Sequence, residues 1–251
     1  MVRSRVNAPQ PDVTAIILAG GKGTRMDSDL PKVVHELRGR SLILHAIDNV
    51  RKAGIGDVIV VVGHRRDLVM EHLDGVARFA VQEEQLGTGH AVLAALPLVE
   101  ASKVFVCYGD MPFLDPATVR EIIDVLTRQD AAAAILTMTS DDQPPYGRVI
   151  RDGRVLRVVE VGDCTPQELR IKEVNVGVYC FDAGALWWAL PRLDDTNAQA
   201  EYQLTDVVRV LVEGGRRVET VRIQDPTQAL GVNDRSDLAR AGLAGGEAHP
   251  R

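Results

Sequence analysis

Gly20, Gly21 and Gly23, followed by Arg25 and Lys32, carry the most pointed chemistry in this sequence. They sit in the run Leu18, Ala19, Gly20, Gly21, Lys22, Gly23, Thr24, Arg25, Met26, with Pro31 and Lys32 just beyond. Residues 13–18 are a short apolar stretch and predict a buried strand. Glycines at its end let the backbone turn sharply and leave N–H groups bare. Amides that converge make a concave anion site. Arg25 can grip phosphate oxygens with its fork, and Lys32 adds a point charge. Such a strand, loop and cation pair suits a polyphosphate. It is not a Walker-type loop, because no Gly-Lys-Ser/Thr follows. Nor is it the dinucleotide fingerprint, whose third glycine would stand where Met26 stands.

Those groups need a scaffold, and bulk numbers bound it. The chain has 251 residues, 45% hydrophobic and 25% charged, with a net charge of −6. That suits one large α/β domain or two small ones and argues against binding nucleic acid through phosphate neutralisation. Cys107, Cys164 and Cys180 are far apart and odd in number, without metal or redox spacing, so free thiols in a reducing compartment are expected. His35, His45, His64, His72 and His90 lack ligand spacing, and His90 is expected on a helix near the site. No apolar stretch is long enough for a membrane span. Residues 1–11 carry arginines but no apolar leader core, which predicts a loose tail and a cytoplasmic protein. A second loose tail is expected over 241–251, leaving 12–240 as the domain.

Strand-like and helix-like runs alternate through the first half. Helices are expected over 42–50 (closed by Gly54), 67–73, 89–96 and 118–126. Strands are expected over 57–62, 78–81, 103–108 and 131–139. Alternation of this kind predicts an open, mostly parallel sheet with helices on both faces, a Rossmann-like α/β fold. After about residue 139 the pattern changes. Runs 148–151 and 155–160 around Asp152-Gly153 predict a hairpin. Strands follow over 174–181 and 217–223, and helices over 183–190 and 205–212. This half reads as a smaller mixed β part fused to the nucleotide half. Trp187 and Trp188 lie in a helical run, which predicts that at least one is core.

In an open parallel sheet, ligands lie beyond the carboxyl ends of the strands. After 78–81 comes Gln82, whose amide suits a base edge such as the imide face of uracil. Gly87 and Thr88 stand at a helix start, where backbone N–H groups are free, with Thr88 as an alternative cap. After 103–108 comes Asp110, beside the glycine loop. A carboxylate there can hold magnesium that also touches phosphate, or simply satisfy turn amides. Asn233 or Asp234 could cap a last helix.

Seven motifs in order resemble the sugar-phosphate nucleotidylyltransferase family. They are the 18–26 loop with Lys32, the 85–91 run, Tyr108-Gly109-Asp110, Tyr146-Gly147-Arg148, Glu173 to Gly177, Asn197-Ala198-Gln199, and Gly231-Val232-Asn233. The resemblance covers roughly residues 12–240. It is strongest to the uridylyltransferase half of bifunctional N-acetylglucosamine-1-phosphate uridylyltransferase/glucosamine-1-phosphate acetyltransferases. It implies the nucleotide-diphospho-sugar transferase type of fold, and that UTP and a sugar 1-phosphate give a UDP-sugar, UDP-N-acetylglucosamine first of all, and pyrophosphate. It implies that Leu18, Ala19, Gly20, Gly21, Lys32, Gln82, Gly87 and Thr88 hold the nucleotide. Arg25, Lys32 and Asp110 would be catalytic, and Asp110 and Asn233 would ligate Mg2+. Tyr108, Gly109, Gly147, Glu160, Asn175 and Thr205 would line the sugar pocket.

The chain departs from the family at Gly20, often alanine, and at Val176, usually a small or hydroxylated residue. Gln203 replaces a common aromatic residue, and Val161-Gly162 replaces a polar pair after Glu160. The left-handed β-helix acetyltransferase domain and the trimer it supports are not expected here, which leaves the oligomeric state open. A related loop serves enzymes acting on molybdopterin or choline phosphate, but the 85–91, Asn175 and Asn233 motifs favour a sugar. A nucleotide sensor without catalysis would be marked by loss of Asp110, Arg25 or Lys32, and all three are present.

Overall fold

The computed structural model describes residues 12–142 and 144–244. Strand β1 (Val13–Leu18) is buried at every position. Val13, Ala15 and Ile17 pack into one apolar layer, Ile16 and Leu18 into another. Thr14, also buried, donates its hydroxyl hydrogen bond to Asp57 Oδ2 at 2.7 Å. A strand buried on both faces must lie inside a sheet covered by helices, as the unbroken apolar run predicts.

Beyond β1 the chain makes 3-10 turns at Thr24–Met26 and Lys32–Val34, as the absence of a helical pattern predicts. A small hairpin follows, β2 (Glu36–Leu37) and β3 (Arg40–Ser41), turned by Arg38 and Gly39 at positive φ. Two-residue strands carry no alternation, so the sequence does not announce them.

The remaining nucleotide half is α1 (Leu42–Lys52), β4 (Asp57–Val62), α2 (Arg66–His72), β5 (Arg78–Val81), α3 (Thr88–Ala95), β6 (Lys103–Tyr108), α4 (Pro116–Arg128) and β7 (Ala133–Thr139). The expected strands 57–62, 78–81 and 103–108 recur unchanged. Helix α4 starts earlier than its apolar periodicity shows, because Asp115 accepts the Ala117 N–H at 2.7 Å and Pro116 fits the first turn. The second half holds β8 (Arg148–Asp152), β9 (Arg154–Val159), β10 (Glu173–Asp182), α5 (Ala183–Ala189), α6 (Asp206–Glu213), β11 (Val218–Arg222) and α7 (Arg235–Ala244).

Strand order across the sheet is β11-β7-β10-β6-β1-β4-β5, with β8 on β10 and β9 on β8. Neighbours β6, β1, β4 and β5 are parallel, as are β11 and β7, while β10 runs antiparallel between β6 and β7. The mixed β part is therefore continuous with the main sheet. Helices α1, α2 and α4 bury Ile43, Ile47, Val69 and Ile122 on one face. Helices α3, α5 and α6 bury Val92, Leu186, Val207 and Leu211 on the other. Trp188 packs half-buried at the edge of this second layer, its ring covered by Arg192 and Arg216, and Trp187 is exposed.

The order in which the chain fills the sheet reverses at β1. The chain leaves β1 for β4 and β5 on one side and returns to β6 on the other. That makes the β1/β6 boundary the topological switch point, where the sheet opens a crevice. At the C-terminal end α7 runs to Ala244 and buries Ala241, so the packed chain extends past residue 240. The expected tail at 1–11, and residues 245–251 of the one expected over 241–251, lie outside the described residues.

Candidate active site

Leu18 and Tyr108 end β1 and β6 in register, so the loops that follow flank the switch point. The glycine loop leaves β1. The Gly20 carbonyl accepts the His64 N–H at 3.1 Å, which ties the loop to the end of β4. A Cβ on Gly20 would lie 3.2 Å from Gln82 Oε1, and one on Gly23 (φ +58) would meet Lys32 Cβ at 2.8 Å. Gly21 faces open space. Tight backbone approach thus explains the first and third glycines, and access explains the second.

Asp110 follows β6 and is buried, 8% exposed. Its carboxylate forms an ion pair with Lys32 Nζ, which also donates to Asn233 Oδ1 at 3.0 Å. Arg25 donates to the same Asn233 oxygen at 3.2 Å. Residues more than 200 positions apart meet here because β11 ends at this edge of the sheet and its continuation returns across Asp110, whose carbonyl accepts the Val232 N–H at 3.0 Å. Asp234, not Asn233, stands at the start of α7 and accepts the Asp237 N–H at 2.8 Å. The Asn233 side chain therefore serves the site.

Two clefts open on either side of Lys32 and Asp110. The first, about 280 Å³, is lined by Leu18, Ala19, Gly20, Gly21, Gln82, Gly87 and Thr88. Val33, Gln85, Ala91 and Glu201 also line it. The second, about 300 Å³, is lined by Tyr146, Gly147, Glu160, Asn175, Tyr179, Thr205 and Asn233. Lys32, Thr88, Tyr108 and Asp110 line both. Of the residues expected at the site, only Arg25 and Gly109 line neither. Arg25 reaches the rim through Asn233. Gly109 turns into the core, where a Cβ would meet Ile43 Cδ1 at 2.6 Å, and its N–H donates to Leu18 O at 3.0 Å. It lets the chain pass close to β1 so that Tyr108 and Asp110 on either side can face the clefts.

Thr88 does not cap its helix. Gly87 holds that place at φ +110, and the Thr88 hydroxyl accepts the Leu204 N–H at 3.0 Å. That bond joins the first cleft to Thr205 in the second. Gly87 and Gly89 pack against Tyr202, whose carbonyl accepts the Gly89 N–H at 2.7 Å. Sequence reasoning missed Glu201 and Tyr202. Their location between the site motif at 197–199 and Thr205 was the available signal.

Asn175 begins β10. Because β10 is antiparallel to β6, its first residues lie at the carboxyl edge of β6, beside Asp110. The pairing of β10 with β7 shifts register between Asn175 and Tyr179, and Gly177 takes φ +84 in that bulge. The bulge brings the Asn175 amide to the Tyr179 hydroxyl at 2.7 Å. In a regular strand these residues would stand about 13 Å apart, so no sequence signal reports the contact. A Cβ on Gly177 would lie 2.7 Å from the Tyr108 ring, which rests on the bare backbone.

Burial pushes the Tyr108 phenol up, helped by the nearby Glu160 and Asp110 charges, and the same cause holds Tyr179 well above the ordinary range. Both stay protonated hydrogen-bond donors. Burial also raises the Glu160 carboxyl, against the hydrogen bond from Thr205 and with Asp206 and Asp163 adding repulsion. Among the described residues, no group of three or more His, Cys, Asp or Glu could hold a metal, and the cysteines are free. No helix there is long and apolar enough to cross a membrane.

The model of the MobA-like NTP transferase domain matches residues 15–165. Two curated relatives, each named "Bifunctional protein GlmU", come from Carboxydothermus hydrogenoformans and Geobacter metallireducens. The first is 48% identical over 227 residues, covering 90% of this chain and 51% of the relative. The second is 45% identical over 237 residues, covering 92% of this chain and 50% of the relative. The chain spans about half the length of these relatives. A putative glucose-1-phosphate thymidylyltransferase from Bacillus anthracis superposes with a TM-score of 0.74 at 20% identity, over 95% of this chain and 98% of that one. That likeness shows the shared fold.

Proposed function

Since the chain belongs to the MobA-like NTP transferase domain family, we propose that it joins a nucleoside triphosphate to a sugar 1-phosphate, releasing pyrophosphate. UTP and N-acetylglucosamine 1-phosphate are the substrates the reading favours, giving UDP-N-acetylglucosamine. One observation carries it: two clefts of different chemistry meet at a single cationic and acidic junction, Lys32 with Asp110. The first has glycine backbone and the amide side chains of Gln82 and Gln85, as a nucleotide needs. The second has a carboxylate, amides and hydroxyls, as a sugar needs.

Asp110 and Asn233 direct oxygens at one point, spanned by the Lys32 ammonium. A carboxylate and an amide oxygen that already share one cation suit a hard divalent ion that keeps water and substrate phosphate as its other ligands. Mg2+ is the ion proposed for them. When bound, it would supply positive charge to the phosphate oxygens.

The sugar phosphate is already an anionic nucleophile, so in-line attack on the α-phosphorus needs no covalent enzyme intermediate. The residues have to position two anions and offset their charge. Lys32 stands between the clefts and can reach phosphates from either side. Arg25, exposed and hydrogen-bonded to Asn233, can grip the leaving pyrophosphate. Thr205 and Tyr179 fix Glu160 and Asn175, which receive sugar hydroxyls and amide. The test is pyrophosphate release from the purified chain with magnesium, each nucleoside triphosphate and a panel of sugar 1-phosphates. UTP with N-acetylglucosamine 1-phosphate should be fastest. Absence of release with every pair would overturn the reading.

A further inference from the structure

Gln82 starts the loop after β5, with its side chain buried (5% exposed) against the first cleft. Its Nε2 lies 3.0 Å from the Gly87 carbonyl and 3.1 Å from His90 Nδ1. A carbonyl only accepts, so the amide nitrogen must face it. The flipped amide would set two oxygens against each other. The nitrogen has no lone pair to offer, so His90 Nδ1 must accept and the ring proton must sit on Nε2. Both protons of the amide are thereby used inward. Oε1 takes no hydrogen bond among the described residues and lies 3.2 Å from the place a Cβ on Gly20 would occupy. Glycine there leaves the acceptor open to the cleft.

We propose that His90 is a positioning residue for base choice: it locks Gln82 with Oε1 outward, so the cleft takes a base that brings a ring N–H. Uracil and thymine do so at N3. Cytosine has the same shape but an acceptor at N3, and two lone pairs would face each other. A site built around one hydrogen-bond polarity discriminates strongly, because the wrong partner leaves a buried group unpaired. The inference rests on reading the first cleft as the nucleotide site.

The test compares kcat/KM for UTP and CTP in the wild-type chain, His90→Leu and His90→Gln. Wild type should favour UTP. His90→Leu should cut the UTP/CTP ratio about tenfold, the equivalent of one buried hydrogen bond, and His90→Gln, which restores an acceptor, should recover most of it. Damage to the fold alone would slow both nucleotides and leave the ratio unchanged, and an unchanged ratio overturns the proposal. No preference in the wild type would overturn the base assignment of the cleft and the proposal with it. A second readout needs no variant activity. Long-range 15N–1H spectra of the wild type, assigned with His90→Gln, should show His90 protonated at Nε2 with Nδ1 as acceptor. The Nδ1–H tautomer would sink the proposal whatever the kinetics.

Discussion

Asp110 and Lys32 form the ion pair on which both clefts converge. Removing one leaves the other as an uncompensated, mostly buried charge. Asp110→Asn should lower kcat by at least about 10²–10³-fold, the range seen when a single preorganised electrostatic contact is lost. Near-normal turnover would remove Asp110 from its role. Asn175 lines the second cleft. Asn175→Ala should mainly raise KM for the sugar phosphate and leave KM for the nucleotide unchanged, as steady-state kinetics in both substrates would show. Glu160 makes a separable prediction. Its folded carboxyl titrates above the unfolded value because of burial. That contribution to stability is fully present below the unfolded range and is lost as pH rises through the folded value. At neutral pH the buried charge costs stability. Glu160→Gln should therefore raise the melting midpoint at pH 7 by a few degrees, on the order of 1 kcal/mol at this chain length, while weakening sugar binding. Equal midpoints at pH 7 would contradict it.

Strand β10 is the element that decides the second cleft. Its antiparallel run brings Asn175 to the active edge, and its bulge turns Gly177 against the Tyr108 ring. Gly177→Ala would force a Cβ into that ring at a positive φ. It should cost about 1–3 kcal/mol and displace Tyr108, which serves both clefts. Chemical denaturation and KM for both substrates measure this, and a neutral result would mean the bulge is softer than its geometry indicates. Strand β10 was legible as a strand, since 174–181 is apolar apart from Asn175. Its direction and bulge were not, because an apolar run says nothing of which way it lies in a sheet. Strands β4, β5 and β6 were legible to the residue, being β-branched or aromatic runs between turn signals. Hairpin β2–β3 was too short to show. Gly109, expected from the resemblance in the sugar pocket, packs against Ile43 and lines neither cleft.

At the scale of the whole molecule, the fold should stand without the proposed Mg2+. The Lys32 ammonium spans the Asp110 and Asn233 oxygens, so the cradle is charge-balanced without a divalent ion. Chelation should abolish turnover yet leave the melting midpoint within about 1 °C, in contrast to a structural metal whose loss unfolds its domain. A large fall in the midpoint on chelation would show a structural ion instead. By itself, the sequence determined the alternating α/β order, the glycine loop with Arg25 and Lys32, and the carboxylate after a buried strand. Such features are local: propensity, periodicity and turn chemistry act over a few residues. Only tertiary structure decided that Asn233 meets Lys32 and Arg25 and that Thr88 links the two clefts. It also decided that His90 sets the face Gln82 presents. Contacts of this kind depend on strand order, on the reversal at β10 and on a bulge. They come from burying one sheet between two helical layers, and no short stretch of sequence holds that information.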